Sequence, residues 1–439
     1  MTKRYQSWGR YPKPEHRAVE KLYWRGQDFD FGRLDTTILP FGYGRSYGDS
    51  CLNNDGVLLD VTELRQLIAF DAEQGILRCE AGLSFAEILD FIVPRGWFLP
   101  ATPGTKFVSV GGAIANDVHG KGHHIDGTFG CHITQFELLR SSGERLICSP
   151  TENVELFRAT IGGLGLTGVI LWAEFKLKPV LSPLIDQERI KFRNLDEFFE
   201  IAADSKTTEY TVGWIDCLSQ GDSFGRGIFT RGNHYDPPLG AEPDVEAKPM
   251  VSMPIDLPSG LINTFTVKAF NEVYYHAQLP KMVRAVVPFD PFFYPLDVIN
   301  NWNRGYGKRG FFQYQCVVPY EDSIEPISEI IRRIGASGQG SPLVVIKTFG
   351  DRPSPGMLSF PRPGVTLALD FANRGQITLD LFEELDAVVR ANGGAIYPAK
   401  DARMSFETFE ASFPQWREFE PFIDPKFSSS FWRRIMDKC

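Results

Sequence analysis

The segment from Pro103 to Gly130, PGTKFVSVGGAIANDVHGKGHHIDGTFG, restricts the fold more than any other part of the chain. It holds seven glycines, three histidines and two lysines, and no apolar run long enough for a core helix. Glycine at that density marks backbone that passes close to something or turns through positive φ. Two readings fit the stretch alone. It is a glycine-rich surface loop with incidental histidines, or a backbone wall built against a ligand.

A second cluster stands earlier, Phe41-Gly-Tyr-Gly-Arg-Ser-Tyr-Gly-Asp-Ser50, after the apolar run Thr37–Pro40. Successive exposed backbone N–H groups form a nest for an anion, usually a phosphate. A hairpin turn also explains the glycines. The spacing is neither a GxxxxGK[ST] loop nor a GxGxxG opening a long helix. Around the clusters the pattern mixes short strands and helices. Val57–Val61 reads as a strand, and Leu67–Phe70 with Ile76–Cys79 as a hairpin. Ser84-Phe-Ala-Glu87 is a capping box opening a helix that Pro94-Arg-Gly96 ends. Phe136–Leu139 and Arg145–Ile147 form a second hairpin. A helix over about 152–160 stops at Gly162-Gly163. Val169 to Leu177 alternates as a half-buried strand.

Pro179 to Pro183 marks a boundary, and beyond it the rhythm becomes strand–helix–strand, three times over. Ile190, a helix near Leu195–Ala203 and Tyr210–Ile215 make the first unit. Phe311–Val318, Ile324–Ile334 and Leu343–Phe349 make the second. Thr366–Phe371, Leu379–Ala391 and Gly394–Tyr397 make the third. Antiparallel strands with helices on one face satisfy this pattern. Tyr235 to Leu261, rich in proline, glycine and acids, reads as a mobile loop or lid.

A length of 439 residues favours two cores. Lys plus Arg number 46 against 55 acids, a net charge of −9 with no basic run, which argues against a nucleic-acid partner. The 35 phenylalanines are read mainly as aromatic cores, with an aromatic-lined cleft for a large apolar ligand as the sharper reading. Seven scattered cysteines without a CxxC pair fit a reduced, cytoplasmic protein. The first residues contain no apolar core of a secretory signal. No apolar run reaches the ~20 residues that span a bilayer, so membrane contact is expected to be peripheral at most.

With both glycine clusters placed, the chain resembles the FAD-dependent oxidases of the vanillyl-alcohol-oxidase superfamily (PCMH-type). Within it, the chain closely resembles the family of oxidase subunits of decaprenylphosphoryl-β-D-ribose 2′-epimerases. The residues that carry this are Ser7-Trp-Gly-Arg10, Gly44-Arg-Ser-Tyr-Gly-Asp49, Gly111-Gly-Ala-Ile-Ala115, Val118-His-Gly-Lys121 and Trp302-Asn-Arg304. Tyr314-Gln315, Ile346-Lys-Thr-Phe-Gly350 and Ala399-Lys-Asp-Ala-Arg403 complete the series.

The resemblance implies an α+β, two-domain fold. Residues 1–180, completed by 395–439, would bind FAD. Residues 181–394 would form an inserted antiparallel-sheet substrate domain with a mobile loop at 235–261. It implies that Gly42, Gly44, Arg45, Ser46, Tyr47, Gly48 and Asp49 bind FAD, with the backbone N–H groups from Gly44 to Gly48 holding its pyrophosphate. Gly104, Ser109, Gly111, Gly112, Asn116 and His119 would line the flavin, Ile170 the adenine end, and Tyr397 would reach the flavin from the far side. Lys121, Gln315, Lys347, Thr366 and Lys400 would meet the substrate, with His119 and Lys400 as the catalytic pair. No metal is expected: His123 and His124 lie near His119, but no HExxH accompanies them.

Two departures stand out. Many superfamily members link FAD covalently to a histidine of the first loop, whereas Tyr47 occupies that position here, so FAD is expected to be non-covalent. Ala368 stands where mycobacterial members carry a cysteine, and Thr366 replaces a polar amide. The expected activity is oxidation of a sugar secondary alcohol to a ketone, with a lipid-linked pentose as the leading substrate. A free sugar, alditol or aldonolactone is the alternative, as is a non-catalytic flavin-binding subunit. A separate NADH-dependent reductase is the expected partner.

Overall fold

The computed structural model describes residues 5–237 and 251–437. Its N-terminal part is built on two sheets. Ala18–Lys21, Val57–Asp60 and Ile38–Phe41 form a parallel three-stranded sheet with Val57–Asp60 at its centre. Leu67–Asp71, Ile76–Glu80, Val169–Lys176, Ile133–Leu139 and Arg145–Cys148 form an antiparallel five-stranded sheet in that spatial order. The two hairpins read from turn residues are both present. The helix Phe85–Ile92 opens on the capping box as expected. Ser84 Oγ accepts from the Glu87 backbone, and the Glu87 carboxylate accepts from the Ser84 backbone. Phe85, Ile88, Leu89 and Ile92 then face the core.

The second part is one eight-stranded antiparallel sheet. Its spatial order is Met282–Pro288, Leu184–Phe192, Gly227–His234, Tyr210–Ile215, Val344–Phe349, Gly364–Ala372, Phe311–Val318 and Ala395–Ile396. Helices Leu195–Asp204, Ile324–Ser337 and Gln376–Ala391 cover one face. Their Phe198, Ile327, Ile330, Ile331, Leu381, Leu385 and Val389 share a buried cluster with Ile346, Leu367 and Leu369 of the strands. Because side chains alternate along a strand, the residues between those point to the opposite face. That second face carries Gln313, Gln315, Lys347, Thr366, Ala368 and Asp370, and it forms a wall of the large cavity.

Three elements of this sheet region escape the sequence pattern: the strands Gly227–His234 and Met282–Pro288, and the helix Thr264–Ala277. The helix buries only Val267 and Asn271, so it has no apolar stripe to read. Of the loop expected over 235–261, residues 238–250 lie outside the described residues. The remainder is fastened down. Val251–Ser252 pairs with Ile299–Asn300, and Asp256 forms ion pairs with Arg10 and Arg304.

After Ala395–Ile396 the chain leaves the large sheet and returns to the first. Phe427 bridges Ile38, the Ser430 N–H donates to the Leu52 carbonyl at 2.7 Å, and Arg434 grips Asp49 at 2.8 Å. Among the described residues, no helix is long and apolar enough to cross a membrane.

Candidate active site

Both glycine clusters line a single cavity of about 790 Å³, which reaches from the first sheet to the open face of the second. That volume lies within the roughly 300–1,000 Å³ of ligand sites. The first cluster enters after the strand Ile38–Phe41, where Gly44 takes φ +63°. The second forms the short helix Val110–Ala115, opened by Ser109, whose Oγ accepts from the Gly112 N–H at 3.2 Å. Asp117 holds the rest of the stretch in place. Its buried carboxylate accepts from the Gly130 N–H at 2.9 Å and from the hydroxyls of Ser354 and Ser359.

Of the residues singled out by sequence, Gly42, Gly44, Arg45, Ser46, Tyr47, Gly104, Ser109, Gly111, Gly112, Asn116, His119 and Ile170 all line this cavity. Lys121, Gln315, Lys347, Thr366, Tyr397 and Lys400 line it too. Gly48 and Asp49 do not. There the loop turns away from the cavity and against the C-terminal segment. The Asp49 carboxylate is held by Arg434 Nε at 2.8 Å and Nη2 at 3.0 Å. These two residues thus take part in a clasp with the C-terminal segment. Arg45 lines the cavity with its guanidinium 4.2 Å from the Trp8 ring centre and its Nε donating to the Phe107 carbonyl.

A flavin dinucleotide fits the cradle on two counts. The Ser50 Oγ is buried in the wall of the cavity and finds no partner among the described residues, which leaves it for a bound group. A Cβ built on Gly104 would meet no protein atom within 4 Å, and one on Gly112 would meet only Ser109 Oγ. The backbone at both positions therefore presents open space rather than packing. The Tyr397 hydroxyl donates to the Asn116 carbonyl at 2.8 Å, which ties the far wall to the glycine helix.

The other end of the cavity is cationic. Lys121 donates to the Phe293 carbonyl at 3.1 Å, and Lys347 to the Gly120 carbonyl at 3.2 Å. Burial pulls the Lys121 ammonium down to about 8. Burial, with the charges of Lys121 and Lys400, pulls Lys347 down to about 7. Lys400 sits 3.9 Å over the Tyr47 ring, lowered by burial to about 8 and partly restored by Asp370. Asp370 is the only acid among the described lining residues. Burial pushes it up to about 7, opposed by the hydrogen bond that Gln313 Nε2 donates to it at 2.5 Å and by the Lys400 charge. Gln313 and Asp370 are cross-strand partners. Sequence reasoning missed both, although each lies two residues from a residue it found, on the same face of its strand.

His119 is buried, and its Nε2 lies 3.1 Å from Gln315 Nε2. Burial, and then the charges of Lys347, His123 and Lys400, hold its pKa well below the usual value, so the ring is neutral. The neighbouring histidines turn elsewhere. His123 Nδ1 accepts from the Gly350 N–H, and His124 Nε2 donates to the Thr208 carbonyl. Among the described residues no group of three or more His, Cys, Asp or Glu is gathered as a metal site.

Comparison with known proteins agrees with this geometry. Residues 31–149 match the model of an FAD binding domain. The chain is 34% identical to decaprenylphosphoryl-β-D-ribose oxidase of Mycolicibacterium smegmatis, over 99% of this chain and 97% of that protein. A putative D-arabinono-1,4-lactone oxidase of Neurospora crassa is 33% identical over 34% of this chain and 26% of its own length. The D-arabinono-1,4-lactone oxidase of Yarrowia lipolytica is 27% identical over 37% and 31%. The chain is an FAD-dependent oxidoreductase acting on CH–OH groups, and it belongs to the family of FAD-binding oxidases that includes decaprenylphosphoryl-β-D-ribose oxidase.

Proposed function

We propose that this chain oxidises the 2′-hydroxyl of a polyprenyl-phosphate-linked pentose to a ketone. The observation that carries this reading is the pairing of two unlike ends in one cavity. Inside are three buried lysines with a single acid, and at the outer wall are Trp214, Phe270, Tyr274, Val287 and Val345. A phosphate between Lys121 and Lys347 stabilises both ammonium groups, which repel each other without it. An isoprenoid chain matches the apolar outer wall, where a free polyol would leave that surface unused. FAD, when bound, supplies the hydride acceptor. The chain's own residues do the rest. Gln315 and Lys347 orient the sugar, and Lys400 accepts the hydroxyl proton at Nζ. His119 stays neutral beside them.

This reading divides the chain into 1–180 with 395–439 for the flavin and 181–394 for the sugar. Lys121, Gln315, Lys347, Thr366 and Lys400 then belong to the substrate, and the lining residues of the two glycine clusters, with Ile170 and Tyr397, to FAD. The ketone produced is a substrate for a separate NADH-dependent reductase, which would complete an epimerisation. The mycobacterial relative, named for a decaprenylphosphoryl ribose, supports the choice of substrate class.

The test is anaerobic mixing of the holoenzyme with a polyprenyl-phosphate ribose, free ribose, an alditol and an aldonolactone. Bleaching of the flavin by the lipid-linked sugar alone is the expected result. Bleaching by the free polyol or the lactone, and not by the lipid-linked sugar, overturns the reading in favour of a free-sugar oxidase.

A second expectation concerns attachment. Tyr47 meets Phe311 edge to face at 5.4 Å and carries Lys400 on its ring, and a phenol there cannot form a histidyl link. Acid or heat denaturation followed by filtration is expected to release all the yellow colour. Flavin retained on the precipitated protein would refute this.

A further inference from the structure

The direction of three hydrogen bonds fixes which nitrogen of His119 carries its proton. Thr366 Oγ1 donates to the Cys316 carbonyl at 2.8 Å. A threonine hydroxyl has one hydrogen, and the backbone oxygen can only accept, so Thr366 has nothing left to donate. Gln315 lies 3.3 Å from that hydroxyl and must therefore present its NH₂ group to it. The amide nitrogen has two hydrogens and no acceptor capacity. Its second hydrogen faces His119 Nε2 at 3.1 Å. Nε2 is thus the acceptor, and a neutral ring with Nε2 unprotonated carries its hydrogen on Nδ1. Nδ1 itself is buried and has no partner among the described residues.

The geometry points to Thr366 and Gln315 as positioning residues that lock His119 as the Nδ1–H tautomer, with Nε2 occupied as an acceptor. The anchor is the Cys316 carbonyl, a backbone atom of the strand Phe311–Val318, so the direction of the whole chain is set by the sheet. Register supports it: Thr366 stands opposite Val317, and Gln315 opposite Ala368, on the two strands that carry these side chains.

Two consequences follow for the proposed oxidation, on which this inference rests for its meaning though not for its test. His119 does not take the hydroxyl proton at Nε2 while Gln315 holds that atom, which leaves proton acceptance to Lys400. Its Nδ1–H is the donor that remains available to a bound group presenting an acceptor.

The test reads the imidazole directly, so it fails separately from any assignment of substrate. Holoenzyme labelled with ¹⁵N-histidine contains seven histidines, and a His119→Asn variant identifies the His119 signals by their loss. The expected spectrum has an unprotonated, pyridine-type Nε2 and a protonated, pyrrole-type Nδ1. Gln315→Glu offers only acceptor oxygens, so it is expected to move the proton to Nε2 or to give a doubly protonated ring. Thr366→Val removes the cue that orients the amide and is expected to give both tautomers, and Thr366→Ser to restore one. Retained flavin absorbance reports that each variant is folded. A proton on Nε2 in the unaltered enzyme, or a Gln315→Glu spectrum identical to it, overturns the inference. An unchanged Thr366→Val spectrum overturns the part given to Thr366.

Discussion

Lys400→Met is expected to reduce substrate-driven flavin bleaching by about 10²- to 10⁴-fold, the span typical of a lost general base, while the protein keeps its bound flavin. Methionine preserves the length of the stem and its contact with the Tyr47 ring, so the change isolates the amine. In the intact protein burial disfavours the ammonium and Asp370 partly restores it, which places Lys400 at about 8. The sign follows from that placement. The base works as the free amine, so bleaching rises with pH, about tenfold per unit below the pKa, and levels off above it. The Met variant loses that rising limb. Stopped-flow measurement of bleaching between pH 6 and 9.5 checks both. A Met variant within tenfold of the unaltered enzyme, or one that keeps the limb, removes Lys400 from proton transfer.

Why this lysine was legible in the sequence while its partner was not has a physical answer. Lys400 follows a short strand and stands in the run Ala399-Lys-Asp-Ala-Arg403, so local pattern brings it to notice. Asp370 becomes a site residue only through register. Gln313 of one strand and Asp370 of another meet because those strands pair antiparallel at that offset. Alternation tells which residues share a face of one strand; it does not tell which strand lies alongside. The glycine clusters were legible for the opposite reason, since absence of a Cβ is a local property. Their limits were not. Gly48 and Asp49 continue the first cluster in sequence, yet Arg434, 385 residues away, draws Asp49 from the cavity into an ion pair. The helix Thr264–Ala277 left no sequence trace because most of its surface faces outward, including Phe265 at 81% and Val273 at 71% exposure. The centre of the antiparallel sheet was readable because Gln313, Gln315, Lys347, Thr366, Ala368 and Asp370 on the cavity face alternate with core residues such as Tyr314, Cys316, Ile346, Leu367 and Leu369.

The turn at Gly48 also carries the second large effect, and a contrast with Gly104 separates folding from cofactor binding. A Cβ on Gly48 would lie 1.6 Å from the Asp401 carbonyl oxygen and 2.9 Å from the Ala402 Cα, both backbone atoms of the returning C-terminal segment. Gly48 has φ −116°, outside the left-handed region, so the constraint at issue is the contact. Around it the Tyr47 N–H donates to the Ala399 carbonyl at 2.8 Å, and Arg434 bridges Asp49 and Asp401. The atoms that this Cβ would meet are backbone and not the far end of a flexible side chain, so Gly48→Ala has to push two backbone segments apart. A cost of about 3 kcal/mol or more is expected, at or beyond the upper end of over-packing. It should appear as a lowered Tm of the flavin-free protein. Gly104→Ala has the reverse signature. Its methyl meets no protein atom, so the Tm of the flavin-free protein should stay unchanged. It does project into the space assigned to the flavin, and an over-packed contact there of roughly 1–3 kcal/mol weakens FAD binding by about tenfold or more. Thermal melts of flavin-free protein with fluorescence titration of FAD read the two effects apart. Unweakened FAD binding in Gly104→Ala would move the flavin away from the Pro103–Gly130 wall, and an unchanged melt in Gly48→Ala would dissolve the clasp.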